Sequence, residues 1–159
     1  MITKKVLLWG MVCCLAACGF TPMYSGEDTD IYVKPISGIN GIELRNALWT
    51  KFGGRNDVNA KYVLDVKLDK PSTQYKALEQ TGDASWQEIS LTATYVLTCD
   101  GDVIASGTEK ASESYTFVPY MVASNAAYNN AVNNTIQVLS EKIGTRAIAE
   151  THKYSSEKK

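Results

Sequence analysis

The chain is predicted to fold as a two-layer α+β sandwich: a four-stranded, mostly antiparallel sheet with two helices on one face, in the order β-α-β-β-β-α. Three observations carry this reading. Stretches between residues 60 and 117 alternate apolar and polar side chains with period two, the pattern of half-buried strands. Two others, near 40–52 and 120–150, repeat apolar residues at helical spacing along a single stripe. Between two alternating runs stands Asp100-Gly101, the strongest turn signal in the chain. Strands with one apolar face and helices with one apolar stripe bury both when the helices share one side of the sheet.

Lys4 and Lys5 precede an apolar run from Val6 to Ala17, the n-region and h-region of a signal peptide, too short to span a bilayer. Residues 1–17 are therefore read as a signal of lipoprotein type. Leu15-Ala16-Ala17-Cys18 resembles the lipobox of bacterial lipoproteins. That resemblance implies cleavage before Cys18 and acylation of its thiol and new amine. More than one chain is needed for stable attachment, at about 0.8 kcal/mol per buried methylene. The alternative is an ordinary secretory signal that leaves Cys18 a plain thiol. Gly19 stands where enteric-type lipoproteins retained at the inner membrane carry aspartate, so the resemblance implies the outer membrane.

Residues 18–29 hold glycine, proline and acids without periodicity and read as a lipidated tether. Asp30 to Ile36 gives a short strand, with Pro35 marking an edge or an end. Ser37-Gly38 breaks it. Asn40 with Glu43 looks like a capping box, and Leu44, Ala47, Leu48 and Phe52 follow at helical spacing until Gly53-Gly54 closes the helix. From Ala60 to Lys70, Tyr62, Leu64, Val66 and Leu68 oppose Val63, Asp65, Lys67 and Asp69. Pro71 to Asp83 is polar and irregular, and could extend that strand through Tyr75 and Ala77. From Trp86 to Cys99, Ile89, Leu91, Ala93, Tyr95, Leu97 and Cys99 form one face against Ser90, Thr92, Thr94 and Thr98. A type I′ turn at Asp100-Gly101 sends Val103 to Phe117 back antiparallel. From Tyr120 to about Glu150, Tyr128, Val132, Ile136, Leu139, Ile143 and Ala147 make an apolar helical stripe. One domain thus spans 30–152, and the charged residues 153–159 are expected to form a disordered tail.

Removing residues 1–17 takes Lys4 and Lys5 with it, leaving 14 basic residues against 17 acidic ones. A mildly acidic domain argues against a nucleic-acid partner and against simple electrostatic adhesion to anionic lipid. Of the cysteines, Cys13 and Cys14 leave with the signal, Cys18 is the lipidation site, and Cys99 alone remains. It is either buried and inert or paired with another chain; its place on the apolar face favours burial.

No catalytic constellation is legible. The single histidine, His152, lies at the end of the last helix beside a polar tail, and no Cys/His cluster has metal spacing. Asp65 and Asp69 sit on the polar side of a strand, which is usually a wet face rather than an acid/base pair. Neither enzyme activity, metal nor cofactor is expected.

With this order of elements, the chain resembles the lipopolysaccharide-assembly lipoprotein family LptE in its shorter, alphaproteobacterial form. The stretches that carry the likeness are Cys18-Gly19-Phe20-Thr21-Pro22-Met23-Tyr24, Leu44-Arg45-Asn46-Ala47-Leu48, Tyr62-Val63-Leu64, Ala93-Thr94-Tyr95-Val96-Leu97 and Ser114-Tyr115 before Pro119-Tyr120. Their weight lies in order and spacing. The resemblance implies a non-enzymatic plug and assembly factor for the outer-membrane β-barrel LptD in lipopolysaccharide transport. It would be lipid-anchored, exposed to the periplasm and enclosed by the barrel. A runner-up is an auxiliary lipoprotein of another envelope lipid-transport system. The family also implies lipid contact through basic side chains near strand tips, which here points to Lys76; Lys110 on the hairpin is a further candidate, and solvated surface lysines are the alternative.

Tyr115 to Ser140 carries no charged residue, so the wet side of the helix must be Asn125, Asn129, Asn130, Asn133, Asn134 and alanines. Lys and Glu, the usual surface helix formers, are missing there. Asparagine offers donor and acceptor without the desolvation cost of a charge, which suits enclosure by a polar barrel interior. Tyr115, Tyr120, Asn125, Asn129 and Asn133 are accordingly candidate partner-interface residues; incidental asparagine bias is the competing explanation.

Overall fold

A computed structural model describes residues 30–54, 57–78, 85–117 and 120–158. The signal peptide, Cys18 and the tether read from the sequence lie outside the described residues. The elements are β1 (Ile31–Val33), α1 (Ile39–Lys51), β2 (Tyr62–Leu68), β3 (Ser72–Leu78), β4 (Ser85–Cys99), β5 (Asp102–Phe117) and α2 (Met121–Glu157). They form the two-layer α+β arrangement, with one mixed sheet and both helices against one of its faces.

Five strands replace the expected four, for a local reason. β4 pairs with β5 along its whole length, from Ser85↔Phe117 to Cys99↔Asp102. Its other edge is shared: β2 takes residues 93–99 and β3 takes residues 85–90. The Asp69 N–H still reaches the Thr92 carbonyl at 2.9 Å, but Pro71 has no N–H to give and interrupts the ladder. β2 and β3 are thus one edge partner broken at proline, and the sheet remains four strands wide. β1 pairs parallel to β2, with α1 as the crossover between them.

The Asp100-Gly101 turn has both residues at positive φ, 51° and 94°, as a type I′ hairpin requires. α1 begins differently from the sequence reading. Its N-cap is Gly38 at φ 87°, no side chain caps it, and Asn40 already lies in the first turn, so the Asn40/Glu43 capping box does not form. The Gly38 carbonyl instead accepts the Ile42 N–H at 3.0 Å. The far end closes at Gly53 and Gly54, both at positive φ, with the Gly54 N–H on the Trp49 carbonyl.

α2 continues to Glu157, through the residues expected to form a disordered tail. Residues 145–157 contain neither proline nor glycine, so nothing stops the helix; Thr151 is buried and Lys158 lies over the Tyr154 ring at 4.7 Å. The core lies between the layers. Leu64 of β2, Ile89, Leu91, Leu97 and Cys99 of β4, Leu44 and Leu48 of α1, and Leu139 and Ile143 of α2 are fully buried. Each large aliphatic among them contributes about 1.5–3 kcal/mol relative to exposure. α2 lies along β5 and β4, α1 packs beside it, and among the described residues no helix lies on the opposite face of the sheet.

Candidate partner-binding surfaces

The uncharged segment divides by face. Tyr120 is the N-cap of α2, its carbonyl accepting the Ser124 N–H at 2.9 Å, and no acidic residue stands in the first turn. Ala131, Val132, Thr135, Ile136 and Leu139 turn into the core. That periodicity forces Asn125, Asn129, Asn130, Asn133 and Asn134 outward, and all five are exposed. Tyr120, Met121 and Val122 are also exposed, at 76%, 79% and 84%.

Tyr115 does not belong to this surface. β5 turns it toward the helices opposite Gln87, where it is buried, its hydroxyl donating to Gln87 Oε1 at 2.5 Å and its ring meeting Tyr128 edge-on at 6.2 Å. Burial, with Tyr128 and Tyr75 nearby, raises its pKa. The correction follows from strand parity: Ala111 and Tyr115 share the buried face of β5. Gln87, a buried polar residue, continues the odd-numbered buried series of β4 before Ile89, and its polar amide hides that parity in the sequence.

Asn129 and Asn133 border a cleft between α1 and α2. One part, about 530 Å³, is lined by Glu43, Asn46, Ala47, Thr50, Asn133, Ile136 and Gln137. The adjoining part, about 290 Å³, reaches Ile39, Asn40 and Tyr128. The lining mixes amides with aliphatic side chains, and Glu43 is its one charge.

The two lysines are not brought together. Lys76 sits at a register irregularity of β3, paired with Glu88 at 3.2 Å across the strand boundary. Lys110 lies in β5 opposite Thr92, four residues along β4 from Glu88. Its side chain is exposed, and its carbonyl accepts Lys142 Nζ at 2.7 Å. Both lie beside the uncovered sheet face, where Ser90, Thr92, Thr94 and Thr98 of β4 neighbour Ser106, Thr108, Ser112, Ser114 and Thr116 of β5. Thr94 and Thr108 are in hydrogen-bond contact across the ladder at 3.3 Å. Only the β4 half of this hydroxyl-rich face was read from the sequence.

Cys99 is a buried free thiol. Burial pushes its pKa up, and Asp100, whose carboxylate accepts the thiol proton at 3.7 Å, adds to the effect. His152 is exposed on α2. Among the described residues no three His, Cys, Asp or Glu side chains gather as a metal site, and no helix is long and apolar enough to cross a membrane.

The fold is shared with bacterial lipoproteins. A protein of Caulobacter crescentus proposed to be a lipoprotein superposes with a TM-score of 0.62 at 18% identity, over 82% of this chain and 93% of that one. Rare lipoprotein B from Shewanella oneidensis gives 0.61 at 15% identity, over 79% and 98%. A minor lipoprotein from Acinetobacter baumannii gives 0.57 at 18%, over 77% and 93%. No family model and no curated protein matches the chain.

Proposed function

We propose that the chain is a lipid-anchored outer-membrane lipoprotein of the LptE kind. In this reading it is not an enzyme; it serves as a plug and assembly factor for an LptD-like β-barrel in lipopolysaccharide transport, enclosed by that barrel on the periplasmic side. The observation that carries the proposal is the exposed asparagine face of α2. Five asparagines point outward and no charge occurs from Met121 to Ser140, whereas the helix beyond it carries Glu141, Lys142, Arg146 and Glu150. A free aqueous surface has no reason to avoid charge over that length. A surface enclosed by polar protein does, because amides can be satisfied there without the desolvation cost of an ion. The ordered motifs from Cys18-Gly19 to Pro119-Tyr120, and the fold shared with bacterial lipoproteins, support the same reading.

A second reading, an auxiliary lipoprotein of another envelope lipid-transport system, is favoured by the absence of any basic residue from Pro119 to Ser140, which removes cationic contacts for lipopolysaccharide from this surface. Photo-crosslinkers in cells separate the two. Placed at Asn129 and Asn133 they should trap a large outer-membrane β-barrel, and one at Lys158, at the opposite end of α2, should trap it far less. Equal or absent trapping at all three positions would remove the reason for reading this helix as an interface.

A further inference from the structure

The outer edge of β5 is a strand without a neighbour among the described residues, and its hydrogen-bonding groups can be assigned. In an antiparallel ladder a residue's N–H and C=O point to one side, and the side alternates along the strand. The Thr92 carbonyl is taken by Asp69 on the β2/β3 side, so Thr92 does not bond to its β5 partner, Lys110. Lys110 must therefore direct its backbone groups away from β4. Lys142 Nζ, 2.7 Å from the Lys110 carbonyl, independently shows that it does. From Lys110 to Phe117 the register with β4 is unbroken, so Ser112, Ser114 and Thr116 also turn their backbone N–H and C=O outward.

Exposed edges are usually blunted, and β1, β3 and the start of β5 are. β1 is three residues long. The β3 edge is irregular between Tyr75 and Ala77, with Lys76 at the irregularity. The start of β5 has a register shift opposite Leu97/Thr98. Its middle is guarded from α2, by Lys142 on the Lys110 carbonyl and by Arg146 paired with Glu109 at 2.7 Å. The guard ends there, because α2 has no charged residue from Met121 to Ser140. Beyond it, Ser112 and Ser114 are exposed. One charge, Glu113, sits on the helix side of this stretch opposite Ile89, partly buried and with no ion pair among the described residues.

We propose that the Ser112–Thr116 edge of β5 receives an extended segment of a partner protein as an added strand, with a lysine or arginine of that segment set beside Glu113. The outward N–H and C=O groups of three residues supply the backbone pairing, the source of affinity in strand addition. Glu113 supplies selectivity: an apolar residue beside it would bury an uncompensated carboxylate, whereas a basic one neutralises it. This surface is separate from the asparagine face of α2, and the inference does not depend on the barrel reading.

The full chain, purified in detergent, can be probed with a seven-residue peptide alternating threonine and valine around a central lysine. Amide exchange at Ser112, Ser114 and Thr116 should be fast in the free protein and slow at least tenfold with the peptide. The same peptide N-methylated on alternate amides should have no effect. Glu113→Lys should reverse a preference for the lysine peptide over its glutamate counterpart. Ser114→Pro, which removes an edge N–H without touching the β4 ladder, should abolish the protection. Three results would overturn the proposal: slow exchange in the free monomer, which would mean that the chain covers its own edge; protection that grows with protein concentration alongside a dimer in light scattering, which would mean that a second copy does; or equal protection by the N-methylated peptide.

Discussion

Tyr95 and Gly107 face each other across the β4–β5 ladder, and a Cβ built on Gly107 would lie 2.9 Å from the Tyr95 hydroxyl oxygen and 3.1 Å from its ring carbons. The glycine is there for space rather than for a left-handed backbone. It lets a tyrosine that is only 3% exposed lie over the neighbouring strand beneath the helices. Covering a strand glycine with a cross-strand aromatic restores the packing that glycine itself cannot give.

Gly107→Val should therefore destabilise the fold by about 1–3 kcal/mol, the usual cost of overpacking. In urea the midpoint should fall with the slope unchanged. The same substitution in a Tyr95→Ala background should cost markedly less. An equal loss in both backgrounds would show that strand propensity, not the ring, sets the requirement for glycine.

The buried Tyr115–Gln87 pair gives a second prediction. Tyr115→Phe leaves the Gln87 amide oxygen without its donor in a dry site, at a cost of about 1–3 kcal/mol. Adding Gln87→Leu should recover much of that loss, because removing both partners removes the unsatisfied group. The pair also fixes a pH dependence. The Tyr115 pKa is raised above its ordinary 10.0, chiefly by burial, so its neutral form is favoured in the folded state. Its contribution is intact below about pH 10 and is lost as pH rises through the higher folded value. Alkaline unfolding should thus begin at lower pH for the wild type than for Tyr115→Phe, once each is normalised to its stability at pH 8.

The sheet and both helices were legible because their signals are local: period two in β2 and β4, period 3.6 in the helices, and an Asp-Gly pair that needs two positive φ angles and sends β5 back antiparallel. What escaped was set by tertiary position. Pro71 splits one edge partner into two strands only because β4 is long enough to hold both. Asn40 could have capped α1, but Gly38 reached positive φ two residues earlier. Tyr115 looked like surface in an uncharged run, and its burial is decided by its register with Gln87. The asparagine face survived as read, since alternating it with a strongly apolar stripe leaves those residues nowhere to go but outward.

Attachment to the membrane is tested at Cys18, which the lipobox reading makes the first residue of the mature protein. Cys18→Ser should leave a form that is unprocessed or that extracts without detergent. Mass spectrometry of the native protein should find the acyl chains on Cys18. An unmodified Cys18 would rule out the anchor and leave the ordinary secretory reading.

Contact with lipopolysaccharide is tested at Lys76, Lys110 and Glu88 together. The Lys76–Glu88 pair is solvated, with side chains 48% and 25% exposed, and such pairs contribute little to stability, about 0–1 kcal/mol. Its members can therefore be exchanged without unfolding the sheet, and the effects on binding read charge alone. Lys76→Glu sets two carboxylates side by side and should lower binding of purified lipopolysaccharide several-fold. Glu88→Gln frees Lys76 from its partner and should raise binding, more at low than at high salt. Lys110→Glu, four residues along β4 from this pair, should lower binding independently, because nothing in the ladder couples the two sites. Unchanged binding in all three variants would leave these lysines as solvated surface groups and the protein as a scaffold only.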